Sequence, residues 1–485
     1  MKGASIIEIL IAVAVLTLGM AAAILLSFAN QDLKIDSETN SEALAKASAL
    51  IENARATSRD DFNLVNPVAT TTDDIYKKAL DVRMVDFVTK KIISRIVWNE
   101  GSTRPQIIEL STLVANWQNP DNTCHSVISN PIGWKNPQIA SYELGKDLLV
   151  PSDPSSGFPI GDVDVHDGKL YVVVNNSNGN NFPTFFTFDV SDPTVKPVFI
   201  NSFDTDTSVK AGLSAVTVSG HYAYVAKGTG PSNGQLQIID LNTNSVVVTY
   251  KVPGVTGTGG KALGNAIFYK DGYVYLGLTK TASGPEFNVI DVSTPTAPSW
   301  KAGYSVGNGV NSIYVKNGYV YIASPNAEDL IVTDVRPSAW PNLPHTGGFN
   351  GTGGLNGKSV SVIGSKIYLG RTFGTNEFYI LNGAIPSSIS EIAHKDLGSG
   401  NDTSINGLLI RDYLAFFVTN QKFQVWNIAD TGNIYPWTEN QDPNEFLDLP
   451  GNSTGTSLDC EGNYIYFGSL PSNDKGYVAI VGPKP

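Results

Sequence analysis

The apolar positions of this chain follow three regimes. The first is a continuous run: of the 23 positions from Ile6 to Phe28, all but Glu8, Thr17, Gly19 and Ser27 are apolar. At about 1.5 Å per helical residue the run spans roughly 35 Å, enough for a bilayer core. The second is helical spacing. Residues 32–56 hold neither Pro nor Gly, and Leu33, Leu44, Ala47, Leu50, Ile51 and Ala54 recur on one face. Together these predict one helix to about Arg59, about 50 residues and roughly 75 Å long. The third is alternation. After a predicted loop over 60–73, ending in Thr70-Thr71-Thr72, strands are predicted over about 75–88, 92–99 and 104–110. Ile92, Ser94, Ile96 and Trp98 alternate there with Ile93, Arg95 and Val97. The turn Asn99–Thr103 fits a hairpin. Asn-Pro pairs at 119–120, 130–131 and 136–137 mark a linker over 118–136.

Beyond the linker the pattern repeats. Seven strand pairs recur from Gly161 onward, each an apolar strand, a tight turn (Gly-containing in six of the seven) and a strand with a marker aromatic. The markers are Tyr171, Tyr224, Tyr275, Tyr321, Tyr368, Phe416 and Tyr466, at spacings of 46 to 53. A third strand follows each pair and closes on Asp189, Asp240, Asp291, Asp334, Asn382, Asn427 or Gly482. Asp and Asn there can bond their own backbone and start a turn. A fourth strand follows in most units, as at 196–203 and 245–252. Four strands at a period near 50 predict a β-propeller, and seven units predict seven blades. The seventh unit ends after its third strand, and Asn136–Leu144 reads as the outer strand that would complete it.

Composition adds a few exclusions. Net charge is −12 and no basic cluster occurs, which removes nucleic acid as an expected partner. Cys124 and Cys460 form no CxxC, so no metal site is expected. They are read either as free thiols or as one long-range disulfide in an oxidising compartment. His166 and His221 fall at hairpin turns, and recurring acids fall at turns, so no catalytic residue and no cofactor is expected. The polar segment 175–181 lacks calcium-loop spacing and reads as a loop tip. Within the apolar run, Glu8 is a carboxylate usually kept for a partner.

Two stretches carry family resemblances. Lys2-Gly3-Ala4, with Glu8 four residues on, resembles the class III leader of type IV pilins and pseudopilins. That resemblance implies cleavage between Gly3 and Ala4 by a prepilin peptidase, methylation of Ala4, and an assembly role for Glu8. The propeller repeats are similar to LVIVD repeats, most closely in the turns at 189–193 and 291–295.

The resulting fold class is mainly β with one long N-terminal α-helix: a pilin-like α+β stalk and head, then a seven-bladed β-propeller closed by an N-terminal outer strand. The expected domains are a leader (1–3), a transmembrane or filament-core helix (4–30), a pilin-like head (31–117), a linker (118–136) and the propeller (137–485). The expected protein is not an enzyme. It is a membrane-anchored precursor that moves to the cell surface as a minor pilin, its extracellular propeller binding a glycan or protein. Its expected partners are other pilin subunits, the peptidase and the membrane. "Minor" follows from size, since a head roughly 50 Å across is far wider than the ~10 Å between packed helices. The alternatives are a surface-tethered lyase or glycosidase, favoured by acids or histidines around the central channel, and a structural pseudopilin of a secretion or DNA-uptake system.

Overall fold

The computed structural model describes residues 6–60, 65–84, 89–99, 105–115, 128, 130–144, 158–175, 183–205, 212–229, 234–325, 328–398, 403–470 and 476–485. The chain divides into two compact units, Met1–Pro120 and Asp121–Pro485.

In the first unit, helix α1 (Ile6–Asp60) is followed by strands β1 (Val68–Asp73), β2 (Tyr76–Met84), β3 (Thr89–Trp98) and β4 (Gln106–Ala115). They form one antiparallel sheet in sequence order. Ala43, Ala47, Ile51 and Ala54 of α1 are buried together with Tyr76, Leu80, Ile92, Ile96, Trp98 and Val114 of the sheet. Small side chains on this stripe let the helix lie close to the strands. The expected loop over 60–73 is partly a strand, because Thr70-Thr71-Thr72 is β-branched and Thr71 and Thr72 pair with Lys78 and Lys77 across a hairpin.

The second unit is a β-propeller-like repeat. Among the described residues it holds seven sheets, which we number as blades: 160–203, 213–250, 264–304, 312–349, 357–395, 407–448 and 454–482. Each blade is an antiparallel meander of strands A to D, counted from the axis outward, and no sheet closes on itself. Blade 7 has three strands of its own. Its fourth is Gln138–Leu144, paired from Gln138↔Gly482 to Leu144↔Gly476. The A strands of successive blades touch in turn, and that of blade 7 touches that of blade 1. Apolar clusters fill the gaps between blades, each drawing on the two neighbours. The marker aromatics are all buried, from Tyr275 at 8% exposed to Phe416 at 0%. The end of the expected linker belongs to this unit: Trp134 is fully buried against Phe416 and Phe423, and Gly133 bonds Lys484.

Two expectations need correction. The fold class needs rebalancing: among the described residues thirty-three strands stand against a single α-helix, so the protein is nearly all β, with its α-helix confined to α1. The membrane-anchored location also falls. Among the described residues no helix is long and apolar enough to cross a membrane, which takes about 20 apolar residues in a row.

Candidate functional site

The meander separates the propeller's connections by end. A–B and C–D turns lie at one end of every blade, and B–C and D–A connections lie at the other. The A–B turns are tight. Asp167-Gly168, Asp271-Gly272 and Asn317-Gly318 all have positive φ, the two-residue geometry whose twist matches paired strands. The C–D turns begin as the sequence predicts: Asp189, Asp240, Asp291, Asp334, Asn382 and Asn427 each accept from the backbone N–H two residues on. Side-chain hydrogen bonds from Ser191, Ser293 and Arg336, and then these backbone bonds, hold the Asp189, Asp291 and Asp334 carboxyls below the usual range.

The opposite end carries the long connections. Blade 3 shows the best-described pair, the D–A segment 251–263 and the B–C segment 279–286. They are knitted by Thr256 N–H to Ser283 O at 3.0 Å, Ala262 N–H to Lys280 O at 3.0 Å, and the Thr256 and Ser283 hydroxyls at 2.8 Å. Lys261, Lys280, Thr258 and Ser283 are exposed on it.

A set of buried acceptors, missed by sequence reasoning, holds this end in place. Each stands immediately before strand C and captures an N–H of the chain leaving strand D. Gln235 accepts from Val252, Glu286 from Gly307, Asp329 from Gly351 and Glu377 from Leu397, at 3.0, 3.2, 2.8 and 2.9 Å. Thr184 does the same for Thr205 in blade 1, at 3.2 Å. The signal was present in the sequence as a polar residue before each apolar strand C. Asp329 goes further: its carboxylate lies 3.0 Å from Arg371, both fully buried, with the guanidinium over the Tyr379 ring. Burial dominates there and raises the Asp329 carboxyl above its ordinary value, despite the cation.

Around the axis, the A-strand residue opposite the marker aromatic sits at the same level in every blade. On blades 3, 4 and 6 it is Phe268, Tyr314 or Leu409. On blades 2 and 5 it is Thr217 or Ser361. On blades 1 and 7 it is Asp164 or Asp459. Phe268 packs on Tyr314 across the gap, with ring centroids 5.4 Å apart. The aspartates cross their gaps by hydrogen bonds. Val165 N–H of blade 1 donates to Asp459 at 2.6 Å, and Val218 N–H of blade 2 donates to Asp164 at 3.2 Å. Asp162 and Glu461 repeat the pattern one level away, accepting from Val216 at 3.0 Å and Gly168 at 3.0 Å. Burial pushes Asp162 up to about 6. Burial also raises Asp164, reinforced by the neighbouring Asp459, and raises Asp459.

These acids correct the expectation that recurring acids are all turn residues. Their signal was the alternation Asp162-Val163-Asp164 and Asp459-Cys460-Glu461, which puts side chains on one strand face. His166 and His221 lie at the A–B hairpins, as expected. No group of His, Cys, Asp and Glu able to hold a metal occurs among the described residues. Cys460 is buried and disulfide-bonded, while Cys124 lies outside the described residues. Gly3, Ala4, the Glu8 side chain and residues 176–181 also lie outside them.

The LVIVD repeat family matches residues 213–246 and 308–344, which fall in blades 2 and 4. No curated protein matches the chain in sequence. Many solved structures resemble it in fold. A putative 6-phosphogluconolactonase from Bacteroides uniformis is 10% identical at a TM-score of 0.48, over 60% of this chain and 85% of its own. The extracellular domain of a putative one component system from B. thetaiotaomicron is 12% identical at 0.44, over 70% of this chain and 39% of its own. Neither likeness bears on function.

Proposed function

We propose that this chain is a non-enzymatic binding protein whose propeller displays a ligand surface at the end carrying the B–C and D–A connections. The observation that carries this reading is the division of labour among polar side chains. Carboxylates at the axis, where a propeller lyase or glycosidase would place its acids, accept backbone N–H groups that tie blades together. A carboxylate whose oxygens are taken up between blades is a poor general base, because a base must reach the substrate's proton within hydrogen-bond distance. The loop end offers the opposite, with exposed Lys, Thr and Ser on a pre-formed, hydrogen-bonded loop pair. Preorganised loops on a rigid scaffold are suited to recognition.

The ligand class is a glycan or a protein. Screening the full chain on glycan and extracellular-protein arrays should give binding that falls in a Lys261→Ala/Lys280→Ala variant. Binding unchanged in that variant would move the surface elsewhere. Turnover of a glycan substrate would replace the reading with the enzymatic one.

A finer part of the proposal concerns assembly and rests on the spacing of Gly3, Ala4 and Glu8 alone. A prepilin peptidase would cut before Ala4, methylation would follow, and Glu8 would meet a neighbouring pilin subunit. Mass spectrometry of the mature N-terminus should find a methylated Ala4. A mature chain beginning at Met1 would exclude it.

A further inference from the structure

The seam between blades 7 and 1 is built unlike those between blades 3 and 4 and between blades 6 and 7. Blades 3 and 4 meet at the axis through Phe268 and Tyr314, and blades 6 and 7 through an apolar cluster that includes Leu409. At the same level blades 7 and 1 meet through Asp459, and blades 1 and 2 through Asp164. Blade 7 is also the blade whose outer strand comes from another part of the chain, at 138–144. The ring's least continuous blade is therefore joined to blade 1 through carboxyl groups.

We propose that this seam is a pH-responsive closure: tight while its carboxyl groups hold protons, and loosened once they ionise together. A protonated carboxyl still accepts the cross-blade N–H bonds, so the neutral seam keeps its ties. Ionised, Asp164 and Asp459 place like charges in one half-buried region, where repulsion is weakly screened. The titratable groups facing the pair are Asp162 and Tyr171 from blade 1, and Glu461 and Tyr466 from blade 7; Asp167 faces Tyr171. His166, at the end of the same strand, lies 3.6 Å from Asp167. Blade 2 contributes the amides of Val216 and Val218.

The sign follows from burial. Folded carboxyls raised above their unfolded value hold protons that the unfolded chain has released. Between the ordinary carboxyl range near 4 and the raised values, about 6 for Asp162 and upward for the pair, stability falls as pH rises.

Thermal unfolding of the full chain tests this. The wild type should melt several degrees lower at pH 8 than at pH 5. Asp459→Asn keeps an acceptor oxygen for Val165, cannot ionise and removes the charge facing Asp164, so its melting point should fall measurably less between these pH values. Asp164→Asn should act likewise, and serves if Asp459→Asn does not fold. A wild-type melting point that is level or rises from pH 5 to pH 8 would overturn the proposal. So would an Asn variant that keeps the full wild-type fall. If neither variant folds, limited proteolysis of the wild type decides. Cleavage within 158–175 or 454–470 that increases at pH 8 relative to an exposed control site supports the proposal, and cleavage that does not increase overturns it.

Discussion

Blades 3 to 5 and blades 7 to 1 solve one packing problem in two ways. In the first region Phe268 and Tyr314 fill the axis gap between blades 3 and 4, and the buried acid Asp329 of blade 4 is set against Arg371 of blade 5. In the second the gap is filled by carboxyl groups whose partners are backbone N–H groups. Both regions give their buried acids a partner: Arg371 and the Gly351 N–H for Asp329, and cross-blade N–H groups for Asp164 and Asp459. They differ in what they respond to: an aromatic contact is indifferent to pH, a paired acid depends on its cation, and an acid held by amides depends on its own proton. Equivalent positions in a repeat can thus share a shape and have different chemistry.

The sharpest break in this comparison is Arg371→Met. It strands Asp329 in a fully buried site and should cost about 3–5 kcal/mol at pH 8. The loss should shrink at pH 5, where Asp329, already raised by burial, can take up a proton; denaturant unfolding at the two pH values measures this. Tyr314→Ala comes next. Truncating a half-buried ring between blades should cost about 2–3 kcal/mol, equally at both pH values. Glu286→Ala should cost about 1–3 kcal/mol by leaving Gly307 N–H without its acceptor. It should also raise hydrogen exchange at 305–311 without altering blade 1. Asp291→Ala is the mildest, about 0.5–1.5 kcal/mol. Asp291 sits below its ordinary value, so its contribution is present above pH 4 and lost as pH falls through the lowered value. The variant and wild type should therefore converge as pH falls through that lowered value.

The blades were legible because the repeat is written in residues that local physics restricts. Tight A–B turns need Asp, Asn or Gly at positive φ, and C–D turns need an Asx acceptor, so both recur at a fixed distance from a buried aromatic. The acceptors before strand C were harder to see. Thr184, Gln235, Glu286, Asp329 and Glu377 share a role and not a residue type, because any side-chain oxygen of suitable reach can take the N–H. The axis carboxyls were missed because each looks like an ordinary polar position on an alternating strand. Only the register places Asp164 beside Val218, 54 positions away, and Asp459 beside Val165, 294 positions away. The N-terminal Thr run misled in the other direction: polar composition read as loop, while β-branching and a hairpin partner made it strand β1.

Hydrogen exchange compared across the two regions tests the central contrast most directly. Peptides covering 160–166 and 454–461 report on the carboxyl seam, and peptides covering 264–270 and 312–316 report on the aromatic one. With rates corrected for the intrinsic effect of pH, protection of the first pair should fall between pH 5 and pH 8 while protection of the second pair stays level. Equal change in both pairs, or a loss confined to blades 3 and 4, would contradict that contrast.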